Sequence, residues 1–149
     1  SFTGFSALSM AIALPSDGLL ISLDKNLEFS NKAKFFYEKA NEAKIKQIIK
    51  PAIESLKELR DTGQKFDLIF IDADKENYIN YYDICIDMIV SGGLILIDNV
   101  LWNGEVSDES KNDKFTNIIR EFNDHIKKDI RITKNIIPIG DGMTICIKN

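Results

Sequence analysis

The sequence predicts an α/β domain built on a mostly parallel sheet with a C-terminal antiparallel hairpin, on three observations. Short apolar runs alternate with amphipathic stretches of helical period, the order that joins parallel strands by crossover helices. The runs FDLIFID (66–72) and LILID (94–98) are apolar without alternation, as strands buried on both faces are. Farther on, IRITKNIIPI (130–139) and MTICIKN (143–149) flank Gly140-Asp141-Gly142, a hairpin signal.

The elements follow in order. GFSALSMAIAL (4–14) reads as a helix and PSDG (15–18) as turn chemistry. LLISLD (19–24) is a strand, NLEFSNKAKFFYEKAN (26–41) a helix and IKQIIK (45–50) a strand. PAIESLKELRDTG (51–63) is a helix opened by Pro51, whose fixed φ suits a first turn. The strand 66–72 leads to the helix KENYINYYDICIDMIV (75–90), closed by Ser91-Gly92-Gly93. Strand 94–98, a polar loop over 103–113 and a helix near 114–128 precede the hairpin. No repeat, low-complexity tract or linker interrupts the pattern, so residues 1–149 are expected to form a single domain. The chain opens on a loop and helix where a doubly wound sheet has its first, central strand. That strand is expected upstream.

Composition narrows the function classes. A formal charge of −4 argues against a nucleic-acid surface, and acids lie close to the basic clusters at 44–50 and 127–134. Cys85 and Cys146 lie far apart in apolar contexts and read as buried, reduced thiols, which implies a reducing, cytoplasmic location. No apolar run reaches the roughly eighteen residues of a membrane span. SFTGFSALSMAIALP lacks the basic start of a signal peptide. His125 is the single histidine, which disfavours Ser–His–Asp hydrolysis and histidine-held zinc, so any metal must be held by oxygen.

Two stretches carry the chemistry. Gly4 lies at a presumed strand-to-helix turn, and Asp24 ends the next strand, the arrangement in which a carboxylate accepts ribose hydroxyls. A turn glycine and a helix-capping Asp24 remain the alternative. The G-x-G-x-x-G pattern of pyrophosphate binding is absent, and Thr3 and Ser6 at a helix start suit a smaller anion such as a carboxylate. A ribose and a carboxylate on one ligand suggest S-adenosylmethionine. In the second stretch, Asp72, Asp98 and Asn99 stand at strand carboxyl ends, an oxygen set that suits Mg²⁺. Asp74 reads as a helix cap; Asp72 and Asp98 could also be caps and turn formers. Lys75 opens a helix against its dipole, which a role as general base beside a cation would explain; a solvent-exposed lysine is the alternative.

These residues resemble the cation-dependent, S-adenosylmethionine-using O-methyltransferases, which include the caffeoyl-CoA O-methyltransferases and, more distantly, catechol O-methyltransferase. The likeness runs through SFTGFSALSMAIALPSDG, ISLD, FDLIFIDADKENY, GGLILIDNVLWNGEV and IPIGDGMTICIK. It implies a Rossmann-like class I methyltransferase fold that here lacks its first strand and N-terminal helices. Asp72, Asp98 and Asn99 fall on the family's metal ligands, with Mg²⁺, Mn²⁺ or Ca²⁺ as the ion. Lys75 falls on the lysine assigned as base or orienting group. Asp24 falls on the ribose acid, and Phe2, Thr3, Gly4, Ser6, Ala52 and again Asp72 fall on cofactor-binding positions. Trp102 lies where the family places an aromatic by the substrate, or is a core tryptophan. Lys50 stands where a glycine is common. A homodimer is expected of the intact protein.

The implied reaction methylates one hydroxyl of a vicinal aromatic diol. Three rivals carry different chemistry. An NAD-dependent oxidoreductase would need the absent glycine pattern and a Tyr-x-x-x-Lys pair, which Tyr78, Tyr81 and Tyr82 do not form. A truncated or inactive methyltransferase-fold protein would bind nucleoside or partner without turnover. A nucleic-acid methyltransferase is disfavoured by the acidic charge and by Asp-Asn-Val at 98–100.

Overall fold

The computed structural model describes residues 2–149, which fall into two compact units divided between Glu58 and Leu59. In the first, α1 (Phe5–Ala13), β1 (Leu20–Asp24), α2 (Leu27–Lys39) and β2 (Ile45–Ile49) precede α3 (Ala52–Asp61), which begins there and runs across the division. β1 and β2 pair in parallel from Leu20↔Ile45 to Asp24↔Ile49. α2 starts where the Asn26 side chain accepts the Phe29 N–H at 2.9 Å, satisfying one of the otherwise unpaired first-turn donors. Ala33 and Tyr37, four residues apart, put one face of α2 against Ala7, with Leu8, Leu20 and Ile45 packed around them.

The second unit contains β3 (Phe66–Ile71), α4 (Tyr78–Met88), β4 (Ile89–Asp98), α5 (Lys114–Lys128), β5 (Ile132–Ile137) and β6 (Met143–Lys148). Its sheet has the order β3-β4-β6-β5. β3 and β4 are parallel, while β6 pairs antiparallel with both β4 and β5. α5 is strongly amphipathic: Thr116, Ile119, Phe122 and Ile126 are buried at helical spacing. The Asp113 side chain caps it, accepting the Phe115 and Thr116 N–H groups at 3.0 and 3.1 Å. The Phe122 ring meets the edges of Tyr78 and Tyr82 from α4, with centroids 5.3 and 6.5 Å apart.

The strand pairings are β1-β2 and β3-β4-β6-β5, in keeping with an α/β fold whose sheet is mostly parallel with a C-terminal antiparallel part. The structure differs from the sequence reading in three places. The helix expected over 75–90 is a 3-10 turn at Lys75–Asn77 followed by α4, which stops at Met88. Ser91-Gly92-Gly93 do not close that helix but lie within β4, where the pairing shifts from Phe66↔Ile89 to Leu68↔Leu94 and extra residues are accommodated. The loop expected over 103–113 is partly 3-10 structure, across Trp102–Ser107.

The end of α5 is tied to the core by Asp129. The buried Tyr82 hydroxyl donates to it at 2.7 Å, and Arg131 donates through Nε and Nη2. The Arg131 guanidinium holds the Asp129 carboxyl well below the usual carboxylate range, against the opposing effect of desolvation. A depressed folded-state pKa contributes stability that is present above the unfolded value and drains away as pH falls. Asp129→Asn should therefore lower stability at pH 7 by about 1.5–3 kcal/mol, the worth of hydrogen bonds to a charged group. The variant should also lose less stability than the wild type on acidification below about pH 4. Urea unfolding across that range checks both, and parallel pH profiles would refute the assignment.

Candidate functional site

In the first unit the loop before α1 lies directly on α2. Gly4 has φ 90°, and a Cβ there would stand 2.7 Å from Ala33 Cβ and 2.8 Å from the Tyr37 ring. Only glycine combines that conformation with that approach. Gly4 is also the N-cap of α1 and supplies no side-chain acceptor. Among the described residues the N-cap thus gives the first turn of α1 no side-chain bond, and Thr3 and the exposed Ser6 lie beside it, an arrangement suited to an anion.

Asp24, at the end of β1, connects this loop to α2. Its Oδ2 accepts the Phe2 N–H at 3.1 Å and its Oδ1 the Asn26 N–H at 2.9 Å. The helix cap is Asn26, so capping does not account for Asp24. The Phe2 ring, 63% exposed, meets the Phe29 ring edge-on at 4.6 Å. Ala52 is the first residue of α3, behind Pro51, whose carbonyl accepts from Glu54 and Ser55. Lys50 is turned into an ion pair with Glu58 at 2.5 Å.

In the second unit, register builds the site. The parallel pairing of β3 and β4 ends at Ile71↔Ile97, so Asp72 and Asp98 follow side by side at the carboxyl ends of adjacent strands. Asn99 comes next, at φ 60°. Asp98 Oδ1 accepts the Asn99 N–H at 2.7 Å, and Asp72 is half exposed.

Lys75 is not a solvated lysine. Its side chain is 12% exposed, and Nζ donates to Tyr78 Oη at 2.5 Å, to Asn99 Oδ1 at 2.7 Å and to Asp72 Oδ1 at 3.3 Å. Three ammonium protons meet three oxygens. Tyr78, fully buried, donates its own proton to the Asp98 carbonyl at 3.1 Å. Burial, with Asp72 and Asp98 close by, pushes the Tyr78 pKa well above that of an ordinary tyrosine and keeps it a phenol. Asp74 sits at the N-cap of the 3-10 turn without bonding its backbone; its carboxylate accepts from Tyr81 Oη at 2.6 Å and Asn77 Nδ2 at 2.5 Å.

The segment after β4 is held from several sides. Val100 N–H donates to the Gly142 carbonyl at 3.1 Å, Leu101 N–H to the Asp141 carbonyl at 3.0 Å, and Asn103 N–H to the Asp141 carboxylate. From α5, Asn123 Nδ2 donates to the Val100 carbonyl at 2.8 Å. A Cβ on Gly142 would stand 2.3 Å from Leu101 Cγ. Trp102, at φ 48°, is partly exposed, outside the buried core, with its ring 5.9 Å from that of Phe115. No role in this site was read from sequence for Tyr78, Asn123 or Asp141; the Gly-Asp-Gly turn entered as a hairpin signal and as part of the family likeness.

The oxygen set fits a hard divalent cation. Asp72, Asp98 and Asn99 offer two carboxylates and an amide, and the Lys75 ammonium, itself a cation, already lies against oxygens of two of them. Among the described residues no group of three His, Cys, Asp or Glu side chains is placed to hold a metal ion; of the three side chains named here two are carboxylates and one is an amide.

Comparison with known proteins gives concordant results. A family model described as O-methyltransferase matches residues 1–149. The Dictyostelium discoideum protein named "Probable caffeoyl-CoA O-methyltransferase 2" is 41% identical over 99% of this chain and 65% of its own length. Catechol O-methyltransferase domain-containing protein 1 of Mus musculus is 34% identical over 99% of this chain and 58% of its own. The crystal structure of the O-methyltransferase from Bacillus cereus in complex with SAH superposes with a TM-score of 0.90 at 28% identity, covering 99% of this chain and 70% of that one. The chain spans 58–66% of the length of the first curated relatives it matches.

The packing at Gly4 is directly testable. Gly4→Ala should cost about 1–3 kcal/mol, from a non-glycine residue at positive φ and from overlap with Ala33 and Tyr37. Thermal unfolding of the two proteins decides it; equal stability would mean that the loop lifts from α2 without penalty.

Proposed function

This chain belongs to the O-methyltransferase family, and on that premise we propose that it transfers a methyl group from S-adenosylmethionine to one hydroxyl of a vicinal aromatic diol, of catechol or caffeoyl type, with a divalent cation assisting. The observation that carries this reading is that oxygens of Asp72 and Asn99 meet the Lys75 ammonium at two adjacent strand ends, with Asp98 directly before Asn99. The names of the relatives, and the SAH in the Bacillus cereus structure, support the donor and the acceptor class.

Asp72, Asp98 and Asn99 would hold the cation, with Mg²⁺ the first choice for such oxygens. When bound, it supplies Lewis acidity that lowers the pKa of a neighbouring hydroxyl. Lys75 orients the reacting hydroxyl or, once it has given up a proton of its own to solvent, takes the proton of that hydroxyl. The acceptor oxygen then bonds to the methyl carbon as the carbon–sulfur bond breaks, leaving S-adenosylhomocysteine. Asp24 accepts the ribose hydroxyls of the donor, and Thr3, Gly4 and Ser6 face its methionine part, with Phe2 and Ala52 beside it. Trp102 lies along the aromatic acceptor. Holding two reactants in position can contribute about 7–11 kcal/mol of rate acceleration.

The test is methyl transfer from labelled S-adenosylmethionine to a panel of catechols and caffeoyl thioesters, with Mg²⁺ and then with EDTA. Activity that EDTA removes is the expected outcome. Donor binding without transfer to any acceptor would favour the alternative of a methyltransferase-fold protein that binds without turnover. Two variants separate the roles. Asp72→Ala should abolish Mg²⁺-dependent turnover and retain most donor affinity, whereas Asp24→Ala should weaken donor binding by about tenfold or more, as loss of hydrogen bonds to a charged group does. Unchanged turnover in the first, or unchanged affinity in the second, would sink the respective role.

A further inference from the structure

Tyr78 has a hydroxyl that packing does not require. Its ring is fully buried against Phe122, 5.3 Å between centroids, and a phenylalanine would fill the same space. The hydroxyl is the difference, and both its bonds lead to the candidate site: it donates to the Asp98 carbonyl at 3.1 Å and accepts from Lys75 Nζ at 2.5 Å. With its single proton committed to Asp98, the oxygen can only be an acceptor toward Lys75. The three partners of Lys75 are therefore not equivalent. Asn99 Oδ1 and Asp72 Oδ1 belong to the oxygen set that suits a cation, and Tyr78 Oη does not.

We propose that Tyr78 is the positioning residue of Lys75: its hydroxyl keeps the ammonium at the end of β4 when Asp72 and Asn99 turn their oxygens to a divalent cation. The inference rests on the metal reading above and extends it. Lys75 then has a permanent partner and two exchangeable ones, and the exchangeable bonds free its protons to meet a substrate hydroxyl. Without the permanent partner, a cation arriving beside Lys75 would repel it into solvent along its flexible stem.

The full chain and its Tyr78→Phe variant are treated at one pH with a lysine-acylating ester, with and without Mg²⁺, and modification of Lys75 is read by peptide mass spectrometry. In the wild type, Lys75 should stay protected, changing by no more than about twofold on adding Mg²⁺. In Tyr78→Phe, Mg²⁺ should raise its modification by about tenfold, as loss of a hydrogen bond to a charged group implies. A tenfold rise in the wild type overturns the proposal without any variant, and equal responses in the two proteins overturn it as well. Calorimetric titration with Mg²⁺ separates the two ideas. Absence of binding refutes the metal reading and the proposal together, while binding with equal labelling refutes the proposal alone. Turnover gives a second readout: Tyr78→Phe should lower kcat about tenfold with KM for the acceptor unchanged, and should cost nothing further in a Lys75→Met background. A loss that persists in that background would assign Tyr78 a structural role only.

Discussion

The register between β3 and β4 is the constraint on which the second unit depends. Ile71 lies opposite Ile97, so two carboxylates of distant sequence leave the sheet together. A slip of one residue would turn every β4 side chain to the opposite face and separate Asp72 from Asp98. Such a slip is resisted on both edges of β4, because the half of the strand next to the site also pairs with β6 from Leu94↔Ile147 to Asp98↔Met143. The irregular part of the ladder is confined to the far end, near Phe66 and Ile89. Regular pairing stands where the chemistry needs it.

Beyond the strand ends the backbone is less relaxed. Asn99, Trp102 and Asn103 all have positive φ, which costs a non-glycine residue of order 1–3 kcal/mol. Such conformations persist only where the surroundings fix them, and here the Asp141–Gly142 turn and Asn123 hold the intervening backbone. A segment restrained in this way keeps its side chains in place before any ligand arrives, which lowers the ordering cost of binding.

Much of this was legible in the sequence because the informative patterns are local. An apolar run that stops at an acid marks a strand and the place where it ends, so Asp72, Asp98 and Asn99 could be put at strand ends without knowing the fold. Lys75 stood out for opening a helical stretch against the dipole. The partners that set its geometry were not legible: Tyr78 looks from sequence like one more buried aromatic, and Asn123 and Asp141 reach their targets across the fold. Local signals also misled. Ser91-Gly92-Gly93 carry the composition of a helix stop, yet tertiary pairing draws them into β4. Asp24 and Asn26 are both plausible caps by residue type, and only the hydrogen bonds separate them.

The strand order β3-β4-β6-β5 carries a consequence for biosynthesis. β6 follows β5 in the chain but lies between it and β4, so β5 gains access to this sheet only through a strand translated after it. Until β6 emerges, the apolar edge of β4 stays unpaired, and neither the turn at Asp141 nor its grip on the segment after Asn99 exists. A nascent chain paused there would present an aggregation-prone strand edge. Slow codons or a chaperone footprint over this region would thus act on the yield of folded protein rather than on its final architecture.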